Sequence, residues 1–276
     1  MEKVDIEIND ALSDQINHSA VGFLKFRDDG QEADVAGSGT FVQLGKIKGI
    51  LTAGHVIDNL PETRQVGLVR PTGAFQNLRI DMSHTGRETL WDKVEGHAPD
   101  LGFLKLPDHV VATIEAQGGV FYNLEKPRDV TPSSPSHRMS ESRAIVGVVD
   151  EWSEEEPGTL PKTKKKIVGG LLGAVKSTRE FEEDGAKLAE VGVDYAASSR
   201  VPTSYEGVSG GALWKLHTEL DGDKVVGSKR SSTAWPFASL LTTASSLATD
   251  RLQSGPSWNG SGKSGALCPK SNCIPS

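Results

Sequence analysis

Tyr205-Glu206-Gly207-Val208-Ser209-Gly210-Gly211-Ala212-Leu213-Trp214 sets one serine among three glycines, just ahead of an apolar run. Glycine on both sides of a serine allows backbone conformations with φ > 0 and close approach of another molecule. Such a turn can aim the amides of Gly207 and Ser209 at one point, where an oxyanion could sit. Taken alone, the stretch reads first as a Gly-rich hairpin turn, and only the rest of the chain can change that.

Composition bounds the class. The chain has 276 residues with thirty glycines and fourteen prolines, and few long apolar periodic runs. That favours many short strands joined by turns, within one large or two small domains. Net charge is −7 and the isoelectric point about 5.6, which gives no general affinity for nucleic acid or anionic membranes. No apolar run approaches the roughly 18 residues that span a bilayer, and the charged start Met1-Glu2-Lys3-Val4-Asp5 does not read as a secretory signal. The two cysteines, Cys268 and Cys273, give the body of the chain no disulfide framework. A β-rich protein of the cytoplasm is expected, with no metal or cofactor.

Upstream, Ala20–Phe26 has strand composition. Gly37-Ser38-Gly39-Thr40-Phe41-Val42 and Ile50-Leu51-Thr52-Ala53-Gly54-His55-Val56 read as two paired strands, with His55 ending the second. Val66–Val69 and Leu78–Asp81 are further strands, and Asp100 stands at the mouth of the alternating Leu101–Leu106. Asp108 is expected to cap a helix from His109 to Gln117, closed by Gly118-Gly119. Ala144–Val149, Ile167–Val175 and Ala189–Ala197 are strand-like, and Leu213–Leu216 with Lys224–Gly227 forms a hairpin. The acidic run Glu154–Glu156 and the basic run Lys162–Lys166 read as a solvated surface loop.

His55, Asp100 and Ser209 therefore occur in that order. A serine hydroxyl needs a base to take its proton as it attacks. Neutral histidine suits that task near neutral pH, and a carboxylate on its other ring nitrogen fixes the tautomer. Histidine, aspartate, serine is one of three unrelated orders in which such sets occur.

On these residues the chain resembles the chymotrypsin-like (trypsin-like) serine peptidases. The stretches that carry the resemblance are Gly37–Phe41 with Leu51–Val56, Asp100–Leu106, and Gly207–Leu213. The resemblance covers roughly residues 18 to 228. It implies two six-stranded antiparallel β-barrels, an endopeptidase acting on peptide or protein substrates, and no cofactor. By it His55 is the general base, Asp100 its orienting partner and Ser209 the nucleophile, with the amides of Gly207 and Ser209 as the oxyanion hole. Asp92 and Asp108 are rival acids, but neither begins a matching strand. Val208 stands where zymogen-activated relatives carry an aspartate, so that activation route is not expected. Thr203, six residues before Ser209, stands where those relatives set the floor of the specificity pocket, with Ser204 next. Neither is charged, and a small or polar residue on the acyl side of the cut is the expectation.

The expected organisation is an N-terminal arm (1–17), a peptidase domain (18–229) and an atypical tail (230–276). From Ser231 the tail is rich in Ser, Gly, Ala and Thr, and it lacks the family's last strands. Two explanations stay open, a disordered extension and a shift of reading frame within codon 230. A two-nucleotide shift there permits Val-Leu-His-Gly-Val-Ala-Phe, which looks like the missing strand. Gly260-Ser261-Gly262-Lys263-Ser264 is no phosphate loop, because Ser257 stands where its first glycine is required. A catalytically impaired module that only binds peptides is the competing function.

Overall fold

In the computed structural model the described residues are 16–27, 32–70, 78–89, 100–126, 131–157, 164–183, 186–194 and 202–232. They lie in a unit spanning Met1–Thr243; the second unit, Ala244–Ser276, is outside the described residues. The tail from residue 233, the rival acid Asp92, both cysteines and the Gly260–Ser264 stretch fall outside them as well.

The fold is mainly β. The first sheet contains β1 (Ala20–Phe26), β2 (Ala33–Leu44), β3 (Ile47–Thr52), β4 (Gln65–Val69), β5 (Leu78–Asp81), β6 (Gly86–Thr89), β7 (Gly102–Lys105) and the short β8 (Tyr122–Asn123). Its order is β5-β4-β1-β2-β3-β7-β6, with β8 parallel to β2 and all other pairings antiparallel. The two outermost strands, β5 and β6, are consecutive in the chain and separated only by Met82–Thr85. A link of four residues spans little more than about 15 Å, so the sheet has to curl until its ends lie near each other. The side chains turned inward form its core: Phe23, Phe41, Ile50, Leu68, Ile80 and Leu104 are all buried.

The second sheet contains β9 (Arg138–Pro157), β10 (Lys164–Glu183), β11 (Ala186–Asp194), β12 (Ala212–Asp221) and β13 (Lys224–Ser232), in the order β11-β10-β9-β12-β13. Alternation on β12 buries Trp214 and Leu216 beside Ala144 and Val146 of β9. Tyr122 meets Trp214 edge-on, with ring centroids 5.1 Å apart. The sheets also touch through Val148 of β9, which packs with Leu24 and Val69.

Several expectations change. His55 does not end a strand: β3 stops at Thr52, and Gly54–Asn59 forms a short helix, α1. Asp108 is the first residue of α2 (Asp108–Ala116), and Pro107 is the N-cap. Proline suits a helix start because its fixed φ and missing N–H cost nothing there. Residues 154–156 lie in β9 and residues 164–166 in β10 rather than in a loop; Lys162 and Thr163 are outside the described residues. Register sets Lys165 opposite Glu156 and Lys166 opposite Glu155 across β9 and β10, and residues of opposite charge favour such pairing. β13 runs past Arg230, with Ser231 opposite Lys215 and Ser232 opposite Trp214 of β12. Twin six-stranded barrels were expected; the pairings among the described residues give a curled eight-stranded sheet and a five-stranded one.

One carboxylate ties a loop to β12. Buried Glu219 accepts hydrogen bonds from the amide and hydroxyl of Ser133 and from His137 Nδ1 at 2.9 Å. These bonds, that of the Ser133 hydroxyl first, push its carboxyl down from 4.5 to about 2. A depressed folded value means stability that is present above pH 4.5 and lost as pH falls through about 2. Urea unfolding at pH 7, 4 and 2.5 checks this. Glu219→Gln is expected to be the less stable protein at pH 7, with the gap to wild type narrowing towards pH 2.5.

Candidate active site

The histidine is placed by its neighbours. Val56 and Ile57 bury themselves in the first core and fix α1 to the sheet. Gly102 makes room for that packing: a Cβ there would lie 2.6 Å from Ile57 Cγ1 and 3.0 Å from the Ala53 carbonyl. The first amides of a helix have no partner inside it, and Ala53 offers no side-chain cap. Asp100 supplies one. The last rungs of the β3–β7 ladder are Leu51 with Phe103 and Thr52 with Gly102, so Asp100 lies just beyond them, beside the start of α1. Its Oδ1 accepts the His55 amide at 2.9 Å, and its Oδ2 accepts the ring Nδ1–H.

Asp100 is buried, whereas His55 is half-buried with its ring partly open to solvent. The hydrogen bond to Asp100 raises the pKa of His55 above 6.5, against a smaller opposing effect of burial. With Nδ1–H committed to the carboxylate, the neutral ring presents Nε2 as its acceptor.

The serine turn is held by its carbonyls. Glu206 O accepts from Asp150 N at 2.9 Å, Gly207 O from Ser38 Oγ at 2.6 Å, Val208 O from Gly211 N at 2.8 Å and Ser209 O from Ser38 N at 2.7 Å. Ser38 is fully buried, and its hydroxyl also accepts from Val148 N at 2.8 Å. It therefore ties the turn to both sheets at once. Among the described residues no peptide bond is cis, so each N–H of the turn points opposite to the carbonyl before it. The Gly207 amide thus turns away from Asp150, and the Ser209 amide away from Gly211. Neither N–H has an acceptor among the described residues. Ser209 itself is exposed at the crest of the turn.

Turn and histidine loop meet at Gly210, whose φ is +81°. A Cβ at Gly210 would lie 2.1 Å from Thr52 Oγ1, 2.3 Å from Ser38 O and 2.9 Å from Ala53 N. The residue after Ser209 is thus pressed against the segment two residues before His55. No hydrogen bond joins Ser209 Oγ to His55 among the described residues; catalytic hydrogen bonds are often long without substrate. Gly210→Ala must both adopt a positive φ and displace that junction. A loss of about 1–3 kcal/mol in stability is expected from the backbone alone, read as a lower urea midpoint at unchanged slope.

Sequence reasoning missed one residue here. Thr203 and Ser204 are exposed, and both bind the carboxylate of Glu151 on β9. Its Oε2 accepts from Thr203 N at 2.7 Å, Thr203 Oγ1 at 2.8 Å and Ser204 N at 3.0 Å. No local signal in the sequence joins residues more than fifty positions apart. Asp108 lies on the exposed first turn of α2, and the carboxylate partner of His55 is Asp100. Among the described residues no group of three or more His, Cys, Asp or Glu could hold a metal ion. No helix among them is long and apolar enough to cross a membrane.

No protein-family model matches the chain. No curated protein matches it either. Among solved structures, one reported with work on the coupled folding and binding of the Sesbania mosaic virus VPg protein is 20% identical, with a TM-score of 0.35. It covers 71% of this chain and 73% of its own. The active form of the Rv3671c protease from M. tuberculosis is 13% identical with a TM-score of 0.34, covering 83% of this chain and 81% of its own. Likeness this distant gives no residue a role.

Proposed function

We propose that the protein is a serine endopeptidase of the chymotrypsin-like type, with Ser209 as nucleophile, His55 as general base and Asp100 orienting the histidine. The observation that carries this is the two-point bond of Asp100 to His55, through backbone amide and ring Nδ1, beside a serine turn packed on the histidine loop. A merely structural histidine does not need its tautomer fixed at the edge of solvent, on a loop against which a turn with an exposed serine is packed.

The topology agrees with that reading. If β5 and β6 are two halves of one strand interrupted at Met82–Thr85, the seven strands of the main path count as the six of a barrel, with β8 added beside β2. The second sheet supplies five strands of such a barrel, with β11 and β13 at its edges.

In the proposed reaction Ser209 Oγ attacks the carbonyl carbon of a peptide bond as its proton passes to His55 Nε2. The oxyanion forms against the Gly207 and Ser209 amides, which are worth about 2.7–4 kcal/mol per donor in such sites. His55 then gives the proton to the departing amine as the C–N bond breaks. Water then attacks the acyl carbon as its proton passes to His55, and His55 returns that proton to Ser209 Oγ as the ester C–O bond breaks. Peptide or protein is the substrate class, and Thr203 keeps its hydroxyl on Glu151 rather than on the substrate.

A second reading, a peptidase-like module that binds peptides without cutting them, is favoured by the five-strand count of the second sheet among the described residues. An activated ester separates the two. With p-nitrophenyl acetate the peptidase gives a burst of about one equivalent of p-nitrophenolate before slower turnover. Absence of both burst and turnover in the folded protein would leave only the binding module.

A further inference from the structure

We propose that Glu151 is the latch that holds the Thr203–Ser209 segment in its anion-binding arrangement, a positioning role that rests on the peptidase reading above. The register of β9 and β10 breaks between Ile167, opposite Glu154, and Gly169, opposite Val149. Asp150, Glu151, Trp152 and Ser153 therefore face a single residue, Val168, and β9 bulges. On the other side, β12 pairs with β9 only as far as Val146. Bulges of this kind re-aim side chains beside active sites.

Released from both ladders, β9 turns two groups onto the segment that precedes Ser209. The Asp150 amide donates to Glu206 O at 2.9 Å. Glu151 collects two backbone amides and one hydroxyl from Thr203 and Ser204 on a single carboxylate oxygen. Bonds from N–H to an ionised carboxylate are roughly twice as strong as neutral ones.

The grip is passed along the turn. Ser204, held by Glu151 through its amide, accepts the Glu206 amide on its hydroxyl at 3.2 Å. The Glu206 carbonyl belongs to the same peptide plane as the Gly207 N–H. Beneath, Val208 is buried among Ile145 and Val149, with Trp152 and Tyr205 against them, and brings no charge. Glu151 is thus the charged group that fixes the near end of the segment, whose far end is fixed where β12 begins. Without it the plane carrying the Gly207 amide loses this relay, and its placement falls to the Asp150 bond, the packing of Val208 and the Ser38 bond to the next carbonyl.

The test follows phosphonylation of Ser209 by a fluorophosphonate, in which the Oγ–P bond forms, fluoride leaves and the proton passes to His55. Wild type, Ser209→Ala, Glu151→Ala and Glu151→Gln are compared, with thermal midpoints recorded for each. Misplacing a catalytic group by about 1 Å costs on the order of 100-fold, so Glu151→Ala is expected to lose about that factor in the first-order inactivation constant. The concentration dependence should change little. Glu151→Gln keeps an acceptor oxygen and is expected within about tenfold of wild type.

Hydrogen exchange supplies a readout independent of chemistry. The amides of Thr203, Ser204 and Glu206, which are hydrogen-bonded in wild type, should exchange faster in Glu151→Ala, while those of β12 stay protected. Glu151→Ala labelling within twofold of a normally reactive wild type, or exchanging as wild type does, overturns the latch alone. A wild type that labels no faster than Ser209→Ala overturns the peptidase reading, and the latch with it.

Discussion

Replacing either Ser209 or His55 by alanine is expected to lower kcat about a millionfold, and replacing both is expected to cost little more. The two act as one device: without Nε2 to take its proton the Ser209 hydroxyl is a poor nucleophile, and without the hydroxyl the base has nothing to activate. Neither substitution should unfold the protein, because Ser209 is exposed and its ties to β2 run through its backbone carbonyl. His55→Ala keeps the α1 amide that bonds to Asp100. Steady-state hydrolysis of one peptide or ester by the three variants checks this. A His55→Ala protein within tenfold of wild type would mean that another group is the base.

Asp100→Asn is expected to lower kcat about 10⁴-fold while leaving the fold intact. Asparagine can keep the His55 amide on its Oδ1, but it then presents an NH₂ to the ring where the carboxylate presented Oδ2. Nδ1 becomes an acceptor, the proton moves to Nε2, and the ring can no longer take one from Ser209. The pH profile shifts as well. Because Asp100 raises the pKa of His55, the acid limb of kcat/KM in wild type should have its midpoint above 6.5. In Asp100→Asn that midpoint falls. For stability the sign is reversed. A histidine raised on folding contributes fully below pH 6.5, and the contribution is lost as pH rises through the folded value. The stability gap between wild type and Asp100→Asn should therefore shrink from pH 6 to pH 9. A kcat/KM midpoint unmoved by the substitution would remove Asp100 from its orienting role.

What could be read from the sequence depended on how local the signal was. Gly207, Gly210 and the short apolar alternations are local, so the serine turn, α2 and most of the strands were legible. The helix at Gly54–Asn59 was not, since six residues without a capping side chain look like the end of the strand before them. Glu154–Glu156 and Lys162–Lys166 looked solvated because charge runs usually are. Only the register of β9 on β10 shows that residues 154–156 and 164–166 lie in paired strands.

The pairing of His55 with Asp100 was expected from residue order and residue type. Its second bond, from the His55 amide, needed the geometry of the β3–β7 ladder. Glu151 was invisible for the same reason as any tertiary contact. Nothing near it in the chain announces that Thr203 and Ser204 will come to rest on its carboxylate.

The central claim is that Ser209 is made nucleophilic by His55, and the mass of the intact protein after reaction with a fluorophosphonate tests it most directly. One adduct per chain, mapped by peptide sequencing to Ser209 and absent from Ser209→Ala and His55→Ala, is the predicted result. An adduct on another residue, or equal labelling of wild type and Ser209→Ala, would contradict it.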